Sequence, residues 1–239
     1  MPKFHTRWKV YPHGPVELID RGIVSVQGEI QMPLGRFPRR MTVVTLSGGR
    51  TVVFSPVALH EAAMRDVEKL GTPAFTIVPN GFHRLDSRIW KERYPETKVV
   101  CPPGAKSRVE QAVAVDATTD VLGDTGVHFN IVPGMAEAES ALIVRRHGRT
   151  TLILNDIISN VRHPKGLGAN IMARLFGFGV HGARMAREVK WLFVKDKKEL
   201  AAQMREWAAI PDLVRIIPSH GEIIDQPAAA LNRVAESLS

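Results

Sequence analysis

The feature of this sequence that most limits its fold is an order of strands and helices that occurs twice. Alternating β-branched segments and turn residues predict a hairpin followed by strand–helix units in each half of the chain. In the first half the strands are predicted at Gly22–Gln27, Met41–Leu46, Thr51–Phe54, Ala74–Val78 and Lys98–Cys101, and the helices at Ser55–Leu70 and Ser87–Tyr94. In the second half the strands are predicted at Val127–Val132, Ala141–Arg146, Thr150–Leu154 and Leu213–Ile217, and the helices at Lys197–Ala208 and Ala228–Leu238.

Two such blocks predict two mixed sheets packed face to face with helices outside, a four-layer αββα sandwich of the α/β (α+β) class. No linker rich in glycine or serine separates the halves, so residues 1–239 are expected to form a single domain. No apolar run approaches the roughly 18–20 residues of a membrane-spanning helix. The basic N-terminus has no apolar stretch behind it, which argues against a secretory signal and predicts a cytoplasmic protein. The single cysteine, Cys101, excludes an intramolecular disulfide and a multi-cysteine zinc site.

The net charge of +8 is concentrated in one segment. Residues 160–198 hold nine basic and two acidic side chains, a net +7, and are expected to form a basic helical insertion. Such a segment attracts an anionic small molecule or an anionic membrane surface, although a merely solvated basic face is an equal alternative. No helix-turn-helix, zinc finger or aromatic RNA-binding motif accompanies the charge, so no specific nucleic-acid partner is expected.

Polar side chains follow three of the predicted buried strands. Asn80 and His83 come after the strand at Ala74–Val78, Asp156 follows Thr150–Leu154, and His220 follows Leu213–Ile217. We expect the three strands to end on one common edge, which would bring these side chains together. Two imidazoles and a carboxylate suit zinc, iron or manganese.

The order of these elements from Gly22 to the C-terminus resembles the metallo-β-lactamase superfamily. The family's T-H-x-H-x-D-H loop corresponds to residues 77–83, where the last histidine is kept as His83. The first two histidines are replaced by Val78 and Asn80, and the aspartate by Phe82. The resemblance implies the αββα fold and a metal-dependent hydrolase.

Later ligands of the family correspond to three further positions. The histidine of the G-H-x-x-G-S-like loop has become Met135, the bridging aspartate resembles Asp156, and the final histidine resembles His220. The segments Ser55-Pro56-Val57 and Pro79-Asn80-x-x-His83, with Trp90 and Tyr94-Pro95, also look like an uncharacterised divergent branch of the superfamily.

The resemblance, with these replacements, implies a site that holds fewer metal ions than the family's. Family enzymes hold two metals, and the first cluster here lacks all three of its histidines. One divalent transition metal is therefore expected, held by His83, Asp156 and His220, with Glu137 or Glu139 as a general base. Asn80, His163, His181 and Arg184 are the expected substrate-binding residues, and the substrate is expected to be small and anionic.

Two other functions remain open at this point. A catalytically inactive binding or scaffold protein on the same fold would hold no metal, because folds do not fix functions. A peripheral membrane protein would use the apolar and glycine-rich part of the basic segment, around residues 171–185, and the same part could instead form an oligomer contact. Metal content separates the hydrolase from the scaffold.

Overall fold

Two β-sheets form the middle of the molecule. The structure, a computed structural model, describes residues 4–32, 35–163, 177–180 and 182–239. The first sheet has six strands in chain order: β1 (Glu17–Asp20), β2 (Ile23–Met32), β3 (Gly35–Thr45), β4 (Arg50–Phe54), β5 (Thr72–Ile77) and β6 (Lys98–Val100). Strands β1 to β4 pair antiparallel, and β4, β5 and β6 pair parallel.

The second sheet has four strands in the order β10-β9-β8-β7: β7 (Val127–Ile131), β8 (Ser140–Arg146), β9 (Arg149–Leu154) and β10 (Leu213–Pro218). Strands β7, β8 and β9 form an antiparallel meander, and β10 pairs parallel with β9. Both sheets therefore combine antiparallel hairpins with parallel pairing, two parallel pairs in the first sheet and one in the second, and the repeated sequence pattern predicts such mixed sheets. The parallel strands matter for function because their carboxyl ends reach the same edge.

The described residues form six helices: α1 (Glu61–Glu68), α2 (Ser87–Arg93), α3 (Lys106–Val109), α4 (Arg187–Leu192), α5 (Lys197–Ala208) and α6 (Pro227–Ser237). Helices α1 and α2 cover the outer face of the first sheet, and α4, α5 and α6 cover that of the second. None of these helices is long and apolar enough to span a bilayer.

Alternation along the strands produces three apolar layers. Val52 and Phe54 of β4 pack between the sheets, while Val53 packs under the outer helices. In β9, Ile153 faces the first sheet and Leu154 faces α5 and α6. Because side chains of a strand alternate between its faces, one strand contributes to two layers. The expected four-layer αββα sandwich is confirmed.

One predicted helix is wrong in its first part. The helix expected at Ser55–Leu70 begins only at Glu61, with His60 as its N-cap, and residues 56–59 run without helical hydrogen bonds. Leu59 in this segment is fully buried, and its carbonyl accepts a hydrogen bond from the indole of Trp8. The segment is therefore held by contacts with residues distant in sequence. The basic helical insertion predicted at 160–198 falls partly outside the described residues and stays a prediction.

Replacing Asp196 with alanine should lower the free energy of unfolding by about 1 kcal/mol. The Asp196 carboxylate caps α5 by accepting hydrogen bonds from the backbone N–H groups of Lys198 and Glu199, at 2.8 and 3.0 Å. Urea unfolding measures the change. Replacing Glu206, an exposed residue of the same helix, should change stability by less than about 0.5 kcal/mol, and equal effects of the two substitutions would contradict the capping role.

Candidate metal centre

Two histidines and one aspartate meet where three strands end. His83 follows β5 of the first sheet, Asp156 follows β9 of the second, and His220 follows β10. One ligand atom from each side chain lies within 4.8 Å of the other two. The structure thus brings together the three residues that the sequence pattern predicts as metal ligands.

The three ligand atoms form a nearly equilateral triangle. Oδ1 of Asp156 lies 3.3 Å from Nε2 of His83 and 3.1 Å from Nε2 of His220, and the two Nε2 atoms are 3.2 Å apart. Donors about 2.0–2.1 Å from a tetrahedral zinc ion would stand roughly 3.3–3.4 Å from one another. The triangle therefore matches one face of a zinc tetrahedron, and the donor set is one that this ion accepts.

Both imidazole rings are held from behind through their other nitrogen. Nδ1 of His220 donates to the carbonyl oxygen of Pro38 at 2.8 Å, and Nδ1 of His83 lies 2.9 Å from Oγ of Ser55. Ser55 directly follows β4 and has a φ of +55°, in the left-handed region that few non-glycine residues adopt. A partner at Nδ1 fixes the orientation of the ring and directs Nε2 toward the other ligands.

The charges of the centre favour an ionised aspartate. Burial disfavours the charged form of Asp156, but His83 and His220 outweigh that effect and hold its pKa well below the ordinary range. Burial lowers the pKa of His83 despite the opposing effect of Asp156. The pKa of His220 is raised, because its bonds to Asp156 and Pro38 outweigh the effect of burial. The lowered pKa values of Asp156 and His83 favour the carboxylate and the neutral imidazole, the forms in which these groups bind metals, whereas His220 would have to release a proton to do so.

Asn80 links the aspartate to a buried glutamate. Its Nδ2 donates to Oδ2 of Asp156 at 2.7 Å and to Oε2 of Glu139 at 2.8 Å. Its Oδ1 accepts from the backbone N–H groups of Phe82 and His83 at 2.8 and 3.2 Å. One side chain therefore orients the carboxylate of Asp156 and also fixes the loop that carries His83. The Asn80 position, predicted as a substrate contact, lies inside the hydrogen-bond network of the site.

The two glutamates predicted as general bases occupy different surroundings. Glu139 is buried beside Asp156 and its Oε1 accepts from the Asp156 backbone N–H at 3.2 Å. Burial, reinforced by the charge of Asp156, raises the pKa of Glu139 well above its ordinary range despite the hydrogen bond from Asn80. Glu137 is exposed and lines a separate cavity with Asp196 and Glu199. Of these two glutamates, Glu139 is the one beside the ligand triangle, and the role of either as a general base stays a prediction.

The remaining predicted substrate residues are not assembled at the ligand triangle. His163 is exposed and its Nδ1 pairs with Glu222 at 2.6 Å. Arg184 is exposed, and its backbone pairs with that of Ser159. His181 lies outside the described residues. The described contacts of His163 and Arg184 are therefore with other parts of the chain, and their role in binding a substrate stays a prediction.

The three positions that correspond to the missing histidines are Val78, Asn80 and Met135, and none of them carries an imidazole. Val78 packs into a small apolar cluster with Val99 and Val109. Met135 is buried below the second sheet, and it lines a cavity of about 410 Å³ together with Asn80. Two of the three positions, Asn80 and Met135, therefore border this cavity, and its walls contain no imidazole among the described residues.

Several residues that border this cavity were not predicted from the sequence as residues of the site. The cavity adjoins Asp156 and is bordered by Phe82, Arg108, Phe193 and Lys195. No periodic pattern marked the region around α3, which supplies Arg108. The ring supports at Ser55 and Pro38 were missed as well, because nothing near them in sequence indicates a contact with His83 or His220.

Replacing Ser55 with alanine should weaken zinc binding by about 10- to 100-fold. The substitution removes the hydroxyl that holds Nδ1 of His83, so the ring loses its fixed orientation. Competition with a chromogenic chelator measures the dissociation constant. Ser47, an exposed residue in the turn before β4, provides the control, and a Ser55→Ala protein with the affinity of Ser47→Ala would contradict this role.

Comparison with solved structures supports the architecture. The DIM-1 metallo-β-lactamase exposed to ceftazidime aligns with a TM-score of 0.63 at 13% identity, covering 97% of this chain and 100% of its own. FIM-1 from Pseudomonas aeruginosa, in its mono-zinc form, aligns at 0.61 and 13%, covering 97% and 98%. A metallo-β-lactamase from Hirschia baltica aligns at 0.59 and 12%, covering 93% and 98%. No protein-family model matches the sequence, and no curated protein matches it. At these identities the similarity is one of fold.

Proposed function

We propose that this protein, whose chain has the metallo-β-lactamase fold, is a metal-dependent hydrolase with a single-metal site. His83, Asp156 and His220 would hold the ion. The observation that carries the proposal is the triangle of ligand atoms with edges of 3.1 to 3.3 Å, which fits the donors of one zinc ion. Iron and manganese accept the same ligand types, and zinc is the ion that we propose first.

The bound ion would supply a Lewis acid able to lower the pKa of a water molecule to about 7 and to polarise a scissile bond. The protein contributes a fixed ligand set, because Ser55 and Pro38 hold the imidazoles and Asn80 holds the carboxylate of Asp156. Glu139 lines the adjoining cavity. A carboxyl group with a raised pKa is suited to taking and returning a proton near neutral pH.

The substrate that we propose is a small organic anion. Two observations favour it: the net +7 of residues 160–198, and the two cations, Arg108 and Lys195, that border the cavity beside Asp156. A positive rim raises the local concentration of an anion and accelerates its encounter with the site. The exposed Arg184 belongs to the same basic segment and would contribute to this field.

Metal analysis joined to a turnover assay tests the proposal. The protein is purified under zinc-, iron- or manganese-replete conditions, its metal content is measured by mass spectrometry, and it is assayed with chromogenic carboxylic esters, thioesters, lactams and phosphodiesters. We expect one ion per chain and hydrolysis that is abolished by chelation and restored by the metal. A metal-free chain under all three conditions would overturn the proposal. One ion per chain without turnover of any of these substrates would overturn the hydrolase and leave only the metal site.

A further inference from the structure

We propose that the cavity beside Asp156 binds an amphiphilic carboxylate, an organic anion that joins a carboxylate group to an apolar body. This inference rests on the proposed function, since it names the substrate class for the same site. The cavity has a volume of about 410 Å³ and is bordered by Asp156, Asn80 and Glu139 on the side of the ligand triangle. Pockets for small organic ligands typically measure about 300–1,000 Å³, so this cavity can hold such a molecule.

One wall of the cavity is apolar and open to solvent. Phe82 and Leu192 line it and are 54% and 62% exposed, although large apolar side chains are usually buried. The Phe82 ring meets the edge of Phe193 with 5.1 Å between ring centroids. Met135 and Val189 extend the apolar surface inward. An apolar ligand body laid against this wall would remove it from water, a favourable contribution of roughly 25 cal/mol per Å² of buried area.

Two cations stand at the same cavity. The guanidinium of Arg108 lies 4.3 Å from the centroid of the Phe82 ring, and Nζ of Lys195 donates to the carbonyl of Leu192 at 3.2 Å. Neither forms an ion pair with a carboxylate of the described residues, and Glu110, two positions after Arg108, pairs with Lys106 at 3.8 Å. Both side chains are exposed and retain donors that a ligand carboxylate can accept.

The charges give the ligand a direction. At the inner end of the cavity both N–H groups of the Asn80 amide are already donated to Asp156 and Glu139, so this amide has no donor left for the carboxylate group of a ligand. Arg108 and Lys195 attract that group toward the exposed end, while the apolar body fills the space against Phe82 and Phe193. The end of the molecule opposite its carboxylate would then reach Asp156 and the ligand triangle. This arrangement selects anions that carry a hydrolysable group at a distance from the carboxylate.

Calorimetric titration of the chelator-treated protein with octanoate, 1-octanol and acetate tests the inference without any metal or turnover. We expect octanoate to bind about tenfold more tightly than 1-octanol, which lacks the charge, and at least about 100-fold more tightly than acetate, which lacks the apolar body. The preference for octanoate over octanol should shrink as salt is raised from about 0.1 to 1 M. Equal affinities for octanoate and octanol, or no octanoate binding at millimolar concentration, would overturn the proposal.

Variants locate the site. The double substitution Arg108→Gln and Lys195→Gln should weaken octanoate binding about tenfold and leave octanol binding unchanged, whereas Phe82→Ala should weaken both. Lys106→Gln, on the same helix as Arg108, is the matched control and should bind like the wild type. Circular dichroism verifies that each variant is folded. Wild-type octanoate affinity in the double variant would overturn the assignment.

Two further outcomes separate this inference from its alternatives. Binding of the protein to vesicles of phosphatidylglycerol and phosphatidylcholine in equal parts is measured alongside the titration. Binding to the vesicles without binding to monomeric octanoate would overturn the cavity proposal in favour of a membrane surface. Zinc binding and turnover with no octanoate affinity would overturn this inference alone. Octanoate binding to a protein that never holds metal would support the cavity site and overturn the hydrolase.

Discussion

Replacing His220 with alanine should reduce the zinc content of the purified protein from one ion per chain to almost none, with the fold retained. The side chain supplies one corner of the ligand triangle, and its Nε2 lies 3.1 Å from Oδ1 of Asp156. Without it, an imidazole and a carboxylate remain. We expect the affinity for zinc to fall by more than the roughly 100-fold that follows loss of an outer contact. Metal analysis and chelator competition measure the loss.

His163→Ala is the matched control for this substitution. His163 is an exposed histidine whose Nδ1 pairs with Glu222 rather than with the ligand triangle, so its removal should leave the metal content unchanged. Circular dichroism should show native structure for both variants, because His220 lies at the end of a strand and outside the apolar layers. Two ions per chain in the wild type, or one ion per chain in His220→Ala, would contradict the single-metal site.

Replacing Asp86 with alanine should lower the free energy of unfolding by about 3–5 kcal/mol. Asp86 is fully buried, and its two oxygens each lie 2.6 Å from a partner: Oδ1 from Nδ1 of His5 and Oδ2 from Nη1 of Arg39. Oδ2 also accepts from the backbone N–H of Ala58 at 3.3 Å. The substitution leaves the buried guanidinium of Arg39 without its counter-charge, which is the physical origin of the large effect. Urea unfolding measures it.

Asp66→Ala provides the comparison, because Asp66 pairs with Lys69 while both side chains are more than half exposed. Exposed pairs of this kind contribute about 0–1 kcal/mol. A loss below about 1 kcal/mol for Asp86→Ala would show that Arg39 does not depend on this carboxylate. Arg39 directly follows Pro38, whose carbonyl holds His220, so Asp86→Ala should also weaken zinc binding in the protein that remains folded.

Most strands could be predicted from the sequence because their packing is periodic. Strand β9 was expected at Thr150–Leu154 and is found at Arg149–Leu154, and α5 lies at Lys197–Ala208 as expected. The first part of the predicted helix at Ser55–Leu70 failed because Ala58 and Leu59 are held by Asp86 and Trp8, which are distant in sequence. Periodicity describes one element at a time and contains no information about such partners.

The ligand triangle could be predicted for a related reason. His83, Asp156 and His220 each follow a buried strand, and strand ends on one edge meet in space. The supports of the rings could not be predicted, because Pro38 lies in the middle of a long hairpin strand and nothing in its neighbourhood indicates His220. The high density of basic residues in the segment 160–198 predicted attraction of an anion, but it does not specify which of these side chains face the ligand triangle. The cavity cations, Arg108 and Lys195, become visible only when the two sheets are packed.

The ligand triangle also has a consequence for folding, because its corners come from both halves of the chain. His83 and Asp156 are separated by 73 positions, and His83 and His220 by 137. Contacts of such long range form only after much of the chain has been ordered. When only one sheet has formed, at most two of the three ligand side chains can be in their native positions, because the first sheet supplies one ligand and the second sheet supplies two. Capture of the ion at this triangle would therefore be a late event of folding, and the rate at which refolding protein acquires zinc would report the docking of the two sheets.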